Sequence, residues 1–385
     1  MAQIVAKYPE KIKDWAAVRR ELHQHPEISG QEKNTARIIS RYLEMFLPER
    51  MTRGIGKTGI LALFHGNEPG PTTWFRAELD ALPIEETDRP YSSQKPGVAH
   101  LCGHDGHMTV LLALAQLLYQ KPVPKGRIGL LFQPAEETGA GAERMIKSTK
   151  LKKLFPDQIF AVHNLPGYPK DTIIIKDGNF TSAVVSLAMR FKGHTAHAAE
   201  PDKAVNPGQI ILDLWKKAQQ LTVLDPGSEK YAIITPVHFR LGSKDYGITP
   251  GNGELHLTIR THTDDRLRKI IDQLTRLAER KADSEGIKFE VDTLQHFPAV
   301  INDESCVKMI RSVAEKNKIK TIEKDMPFTW GEDFSRYLNK SRGALIGWGA
   351  GENCAPLHHP DYDFPDDQIN KVAQFFYNLA MRYHG

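Results

Sequence analysis

The run Cys102-Gly103-His104-Asp105-Gly106-His107 places a thiol and two imidazoles just ahead of a long apolar stretch that reads as a helix. A thiolate and an imidazole two residues apart can reach one metal centre, and the positive end of a helix favours the ionised thiol. A core cysteine followed by helix-start histidines would give the same run, so its meaning depends on what accompanies it. Gln133-Pro134-Ala135-Glu136-Glu137 directly follows an apolar strand. Adjacent carboxylates at a strand end point in different directions, so one can bind a cation while its neighbour faces a water as general base. A solvated Glu-Glu at a helix start is the plainer alternative. His163 stands just past another apolar strand, and His358 and His359 lie between Leu357 and Pro360 near the C-terminus. Each alone would read as a structural histidine.

Taken together the residues are harder to dismiss. Cys102, His104, Glu137, His163 and His358 are all expected in loops, several of them following strands of one sheet, where open α/β folds build their sites. Five ligands exceed what one tetrahedral zinc requires, so two divalent ions per subunit with a shared ligand are expected. Sulfur, nitrogen and oxygen donors suit zinc and also admit manganese, cobalt or nickel.

The elements that must hold these residues follow from periodicity. Asp14 to Leu43 shows helical spacing interrupted near Pro26, which predicts two helices. Strands at 60–64, 73–79, 127–132 and 158–162 alternate with helices at 106–119 and 140–148, predicting an α/β domain with a mixed, largely parallel sheet flanked by helices. From Thr181 the rhythm becomes βαββαβ, an inserted α+β unit over 181–295, long enough to fold as its own domain. A helix at 305–316, a strand at 343–348 and a helix at 366–383 return to the first pattern, so 1–180 and 296–385 form one interrupted domain.

Composition narrows the partners. Lys and Arg number 51 against 47 Asp and Glu, a net +4 spread along the chain, which is no footprint for nucleic acid or anionic lipid. No apolar run approaches the roughly 20 residues of a membrane span. Met1 to Trp15 lacks the apolar core of an export signal, so the cytoplasm is expected. Cys102, Cys306 and Cys354 make an odd count without framework spacing, which predicts free thiols or metal ligands. The expected partner is a small molecule.

The chain resembles the bacterial N-acyl-amino-acid amidohydrolases, the hippurate hydrolase and auxin-conjugate hydrolase group of the two-metal aminoacylases and carboxypeptidases. The matching runs span nearly the whole chain: Arg19 to Glu27, Arg76 to Ile84, the Cys-Gly-His-Asp-Gly-His run, Pro134 to Glu137, Gly193 to Ala199, Thr258 to Arg260, Gly331 to Phe334, and Leu357 to Pro360. The resemblance implies a di-metal catalytic domain and an inserted lid that forms a homodimer. Carried over by position, Glu136 is the general base, Glu137 a ligand and Cys102 the bridging thiolate. His358 is preferred to His359 because the family pattern is Leu-His, a variable residue, then Pro. His197 on the lid is expected to reach the partner's active site and polarise the scissile carbonyl of an N-acyl amino acid, and Arg260 to grip a substrate carboxylate through two points. Asp80 and Asp105 are expected to orient ligand histidines, and His107 to be a bystander.

The chain also departs from the family. Relatives usually carry Asn-Val-Ile-Pro-Asp where this chain has Gly247-Ile248-Thr249-Pro250-Gly251, and Trp330 replaces a small residue before Gly-Glu-Asp-Phe. Acyl preference therefore does not transfer. A metallo-aminopeptidase or carboxypeptidase of the same fold is the nearest competing reading. A silent binding homologue would be expected to have lost the base or a ligand, and every candidate is present.

Overall fold

The computed structural model describes residues 12–152 and 154–385, so Met1–Lys11, the greater part of the stretch read for an export signal, lie outside the described residues. Helices α1 (Trp15–Gln24) and α2 (Lys33–Glu44) lead into strands β1 (Arg50–Ile55), β2 (Gly59–His65) and β3 (Glu68–Glu78). Helix α3 (His104–Gln120) precedes β4 (Lys125–Gln133), α4 (Gly141–Lys147) precedes β5 (Gln158–Pro166), and β6 (Thr172–Ile175) follows. Then come β7 (Ala183–Lys192), β8 (Ala196–His197), α5 (Gly208–Leu221), β9 (Ala232–Leu241), β10 (Ile248–Thr249), β11 (Asn252–Thr261), α6 (Asp264–Ser284) and β12 (Lys288–Phe297). The chain closes with α7 (Glu304–Lys316), β13 (Lys320–Glu323), β14 (Arg342–Gly351) and α8 (Ile369–His384).

Two compact units result. The first comprises the described residues up to Phe180, Ile301–Asp325 and Asp333–Gly385, and the second Thr181–Val300 with Met326–Glu332. The first holds an eight-stranded sheet ordered β1-β2-β4-β3-β5-β14-β6-β13. Its centre, β4-β3-β5-β14, is parallel, and antiparallel pairings join β1 to β2, β2 to β4 and β14 to β6. Strands β4 and β5 are buried almost end to end, as strands of a sheet covered on both faces must be. Helix α3 is apolar all round and buried along most of its length, so its N-terminus is held by core packing rather than by propensity.

The second unit is an antiparallel sheet ordered β9-β11-β7-β12 beside a short β10-β8 ribbon. Burial alternates along β11, and its inward Leu255, Leu257 and Ile259 pack with Ile210 and Leu214 of α5 and Leu267 and Ile270 of α6. This unit runs past the expected end at residue 295. Ala299 joins its core, the Val300 N–H donates to Thr181 Oγ1 at 3.3 Å, and Met326–Glu332 return to it through a Ser182 N–H bond to the Phe328 carbonyl at 2.8 Å. Such an irregular return leaves no periodicity to read. Among the described residues no helix is long and apolar enough to cross a membrane, and all three cysteines are free thiols.

Candidate metal centre

Gly103 turns the chain into α3 with φ 90°, and a Cβ there would come within 2.4 Å of Asn164 Oδ1 and 2.7 Å of the Tyr362 hydroxyl. Glycine is required both for the left-handed turn and for the close approach. The turn leaves Cys102 in the loop and makes His104 the first residue of α3, so His104 is helical rather than in a loop. His163 likewise lies inside β5, because Gly347, Trp348 and Gly349 of β14 continue to pair with His163, Asn164 and Leu165. His358 has φ 65°, and its N–H donates to the Leu101 carbonyl at 2.8 Å, which ties the C-terminal loop to the residue before Cys102.

These elements bring the expected ligands together. One ligand atom each from Cys102, His104 and His163 lie within 4.8 Å of one another, as do those of Cys102, Glu137 and His358, and those of His104, Glu136 and Glu137. Cys102 belongs to the first two sets. Its Sγ is 3.5 Å from His163 Nε2, and Glu137 Oε1 is 3.8 Å from His104 Nε2 and 3.7 Å from His358 Nε2. Ligand atoms around one tetrahedral ion with the usual metal–N and metal–S bonds are spaced by about 3.3–3.6 Å.

The orientation of two imidazoles fits a cation. His104 Nδ1 is 2.8 Å from the Asp80 carbonyl oxygen and His163 Nδ1 is 2.9 Å from the Asn164 carbonyl oxygen, so each ring donates through Nδ1 and turns an Nε2 lone pair toward the cluster. Among the described residues, the buried His104 Nε2 has no hydrogen-bond partner. A buried nitrogen lone pair facing a thiol and a carboxylate is what a cation would satisfy. Burial, with the Glu137, Glu136 and Glu78 carboxylates nearby, holds the Cys102 thiol well above its ordinary value, and burial with neighbouring His107 pushes His163 down to about 3. Burial also lowers His358, with His104 adding to the effect. In His104 burial is outweighed by Glu78, Glu137 and Asp80, and the imidazole is shifted up.

The supporting shell differs from expectation in two places. Asp80 does orient His104, but through its backbone carbonyl. Its fully buried carboxylate accepts the Glu136 N–H on Oδ1 at 3.1 Å, and the Glu137 N–H at 3.0 Å and the Ser29 hydroxyl at 2.6 Å on Oδ2. Asp105 orients no ligand histidine. Successive helical residues point about 100° apart, and Asp105 turns to His23 Nδ1 at 2.8 Å and Arg19 Nη1 at 3.3 Å. Both ring nitrogens of His107 have protein partners: Nδ1 pairs with Glu78 Oε2 at 2.7 Å, and Nε2 accepts the Asn164 N–H at 3.2 Å. Half-exposed His359 accepts the Asp361 N–H on Nδ1 at 3.2 Å. Arg76, Gln133 and Asp333, which the sequence gives no individual role, form a buried brace. Asp333 Oδ1 accepts Arg76 Nη2 at 2.9 Å and Gln133 Nε2 at 2.6 Å, and its Oδ2 accepts the Ala142 N–H at 2.9 Å, which braces the loop carrying Glu136. Each stands in one of the matching or site-bearing runs, Arg76 to Ile84, Gln133 to Glu137 and Gly331 to Phe334, but nothing in those runs announces that the three meet.

His197 and Arg260 lie on the second unit. His197 sits in the β8-β10 ribbon opposite Ile248, exposed, with Nδ1 accepting the Ala199 N–H at 3.0 Å, which leaves Nε2 as the ring's donor. Arg260 donates from Nη1 to the Thr329 carbonyl at 3.0 Å, and among the described residues it forms no ion pair. Burial lowers its pKa, so a carboxylate partner would be favourable there.

Comparison with known proteins places the chain in a family. The model of peptidase family M20/M25/M40 matches residues 74–382. An N-acetylcysteine deacetylase of Bacillus subtilis strain 168 is 31% identical over 370 residues, covering 94% of this chain and 95% of the relative. An N-acetyl-L-cysteine deacetylase of the same organism is 33% identical over 377 residues, covering 96% and 88%. A crystal structure of a B. subtilis dinuclear metal-binding peptidase from the M20 family superposes with TM-score 0.78 at 29% identity, covering 95% of this chain and 96% of that one. A Staphylococcus aureus structure at TM-score 0.86 and 24% identity, covering 97% and 96%, shares the fold. The chain therefore belongs to peptidase family M20/M25/M40, and is one of its metal-dependent amidohydrolases.

Proposed function

We propose that the protein removes the acyl group from an N-acyl amino acid, with two divalent cations held by Cys102, His104, Glu137, His163 and His358. The observation that carries this reading is the meeting of those five side chains beside Glu136, whose carboxylate lies within 4.8 Å of ligand atoms of His104 and Glu137. Cys102 belongs to two of the ligand sets and would be the thiolate common to both. When bound, the cations acidify water and polarise an amide carbonyl. Glu136 takes the proton from the attacking water and returns it to the departing amine nitrogen, which prevents collapse of the addition back to the amide. His197, whose Nδ1 accepts the Ala199 N–H and so leaves Nε2 to donate, gives a hydrogen bond to the carbonyl oxygen as charge develops there, and is supplied by the second unit of a partner copy. Arg260 holds the substrate carboxylate. The two deacetylase relatives, named for N-acetylcysteine, make small N-acyl amino acids the first class to try. Zinc fits the donor set, with manganese, cobalt and nickel as alternatives.

The test is amine release from a panel of N-acyl amino acids, N-acetylcysteine included, and from dipeptides, by protein reconstituted with each metal. Wild type is expected to prefer N-acyl amino acids, and Glu136→Gln to fall by about 10²–10⁴ in kcat. Equal inertness of both proteins with every metal removes the reading, and preference for dipeptides replaces it with a peptidase.

A further inference from the structure

Glu32 has no place in the chemistry described so far, yet it is fully buried. It occupies the N-cap position of α2 without a side-chain bond to that helix. Glu27 supplies the cap instead, its Oε2 accepting the Thr35 N–H at 2.8 Å and the Thr35 hydroxyl at 2.9 Å. Glu32 is thereby free to reach away from its own helix. Its Oε1 accepts the Ala135 N–H at 3.0 Å and the Gly30 N–H, and its Oε2 accepts the Thr58 hydroxyl at 2.8 Å. Among the described residues it forms no ion pair. A buried carboxylate held only by neutral donors is costly unless its position matters.

The position matters because of Ala135. This residue has φ 52°, a left-handed conformation that costs a non-glycine residue about 1–2 kcal/mol. It directly precedes Glu136. The next two N–H groups, those of Glu136 and Glu137, are held by Asp80. Three consecutive amides are thus tied to two buried carboxylates, and Glu32 secures the first at the strained residue.

We propose that Glu32 is a positioning residue for the general base: it locks Ala135 in the left-handed turn that aims the Glu136 carboxylate into the metal centre. The proposal rests on the reading of Glu136 as base. It makes reach, rather than charge, the property that counts. Glu32→Gln keeps an oxygen at full reach for the Ala135 N–H, and Thr58 can rotate its hydroxyl to accept from the new amide. Glu32→Asp keeps the charge and withdraws both oxygens by about one C–C bond, about 1.5 Å.

The experiment measures kcat, KM and bound metal for Glu32→Gln, Glu32→Asp and Thr58→Val on the metal-loaded enzyme, with Glu136→Gln alongside. Glu32→Gln is expected within about fivefold of wild-type kcat. Glu32→Asp should lose about 20-fold to 100-fold in kcat, since a displacement near 1 Å costs up to about 10². Thr58→Val, which removes the second anchor of the carboxylate, should lose about threefold to tenfold. KM and metal stoichiometry stay near wild type throughout. If Gln and Asp are equally impaired, or the losses follow metal loss or appear in KM, the role is structural and the proposal fails. Should Glu32→Asp not fold, Thr58→Val at wild-type kcat overturns it alone. An inert Glu136→Gln beside fully active Glu32 and Thr58 variants removes only this inference, whereas an active Glu136→Gln removes the base assignment first.

Discussion

Replacing Asp80 by Asn separates two jobs that the sequence merges. The Asp80 carbonyl, which accepts from His104 Nδ1 at 2.8 Å, survives the substitution. The carboxylate does not, and its two oxygens hold the N–H groups of Glu136 and Glu137 at 3.1 and 3.0 Å. An amide of the same shape presents one oxygen and one NH2, so whichever way it flips, one of those buried N–H groups faces another donor. Leaving a buried donor unsatisfied costs about 1–3 kcal/mol. If that cost falls on the alignment of the Glu136 turn, kcat drops by about 5-fold to 150-fold at 1.36 kcal/mol per factor of ten. Because His104 keeps its orienting bond, metal affinity should fall by less than about tenfold, below the 10–100-fold expected when an orienting partner is lost. Steady-state deacylation with saturating metal and a competition titration against a metal-binding dye measure both quantities. Asp80→Asn with wild-type kcat, or with metal binding lost before turnover, would refute the reasoning.

Other consequences follow from the same packing. A Cβ on Gly106 would lie 2.3 Å from the Phe364 ring, so Gly106→Ala should cost about 1–3 kcal/mol through overpacking, read as a lower melting temperature. His23 is buried, which lowers its pKa, but bonds to Asp105 and Glu86 outweigh burial and a repelling Arg19 and raise it to about 9. His100 and Tyr91 face the same ring. Because the folded value lies above the unfolded value of about 6.5, the stabilisation is complete below pH 6.5 and is lost as pH rises through about 9, about 3 kcal/mol in all. Denaturant melts across this window should show the decline, and Glu86→Gln should shrink it. A chelator should abolish turnover and lower the melting temperature, with both restored by a divalent ion; turnover that persists in metal-free protein would contradict this.

Much of the site was readable because strand, loop and helix signals bracket it: Cys102 and His104 before an apolar helix, Glu136 and Glu137 after an apolar strand, His163 at the end of another. What was lost is what side-chain type cannot encode. The letter Asp80 does not say that its carbonyl meets His104 while its carboxylate holds two amides. Asp105 adjoins His104 in sequence, but the helical turn sends it to Arg19 and His23. His163 was placed past its strand because the apolar run stops at Val162, whereas backbone pairing with β14 continues regardless of side-chain polarity. The return of Met326–Glu332 to the second unit is carried by backbone bonds in an aperiodic segment, and no pattern announces it. The βαββαβ rhythm and the interrupted sheet were legible because each element there buries one regular face.

The most direct test of the account is anomalous diffraction at the zinc edge from crystals of the zinc-reconstituted enzyme. Two peaks are predicted, both within bonding distance of Cys102 Sγ, with His104, His163, Glu137 and His358 completing their ligand shells and the Glu136 carboxylate unligated beside them. A single ion, or two ions of which neither touches Cys102, would contradict it.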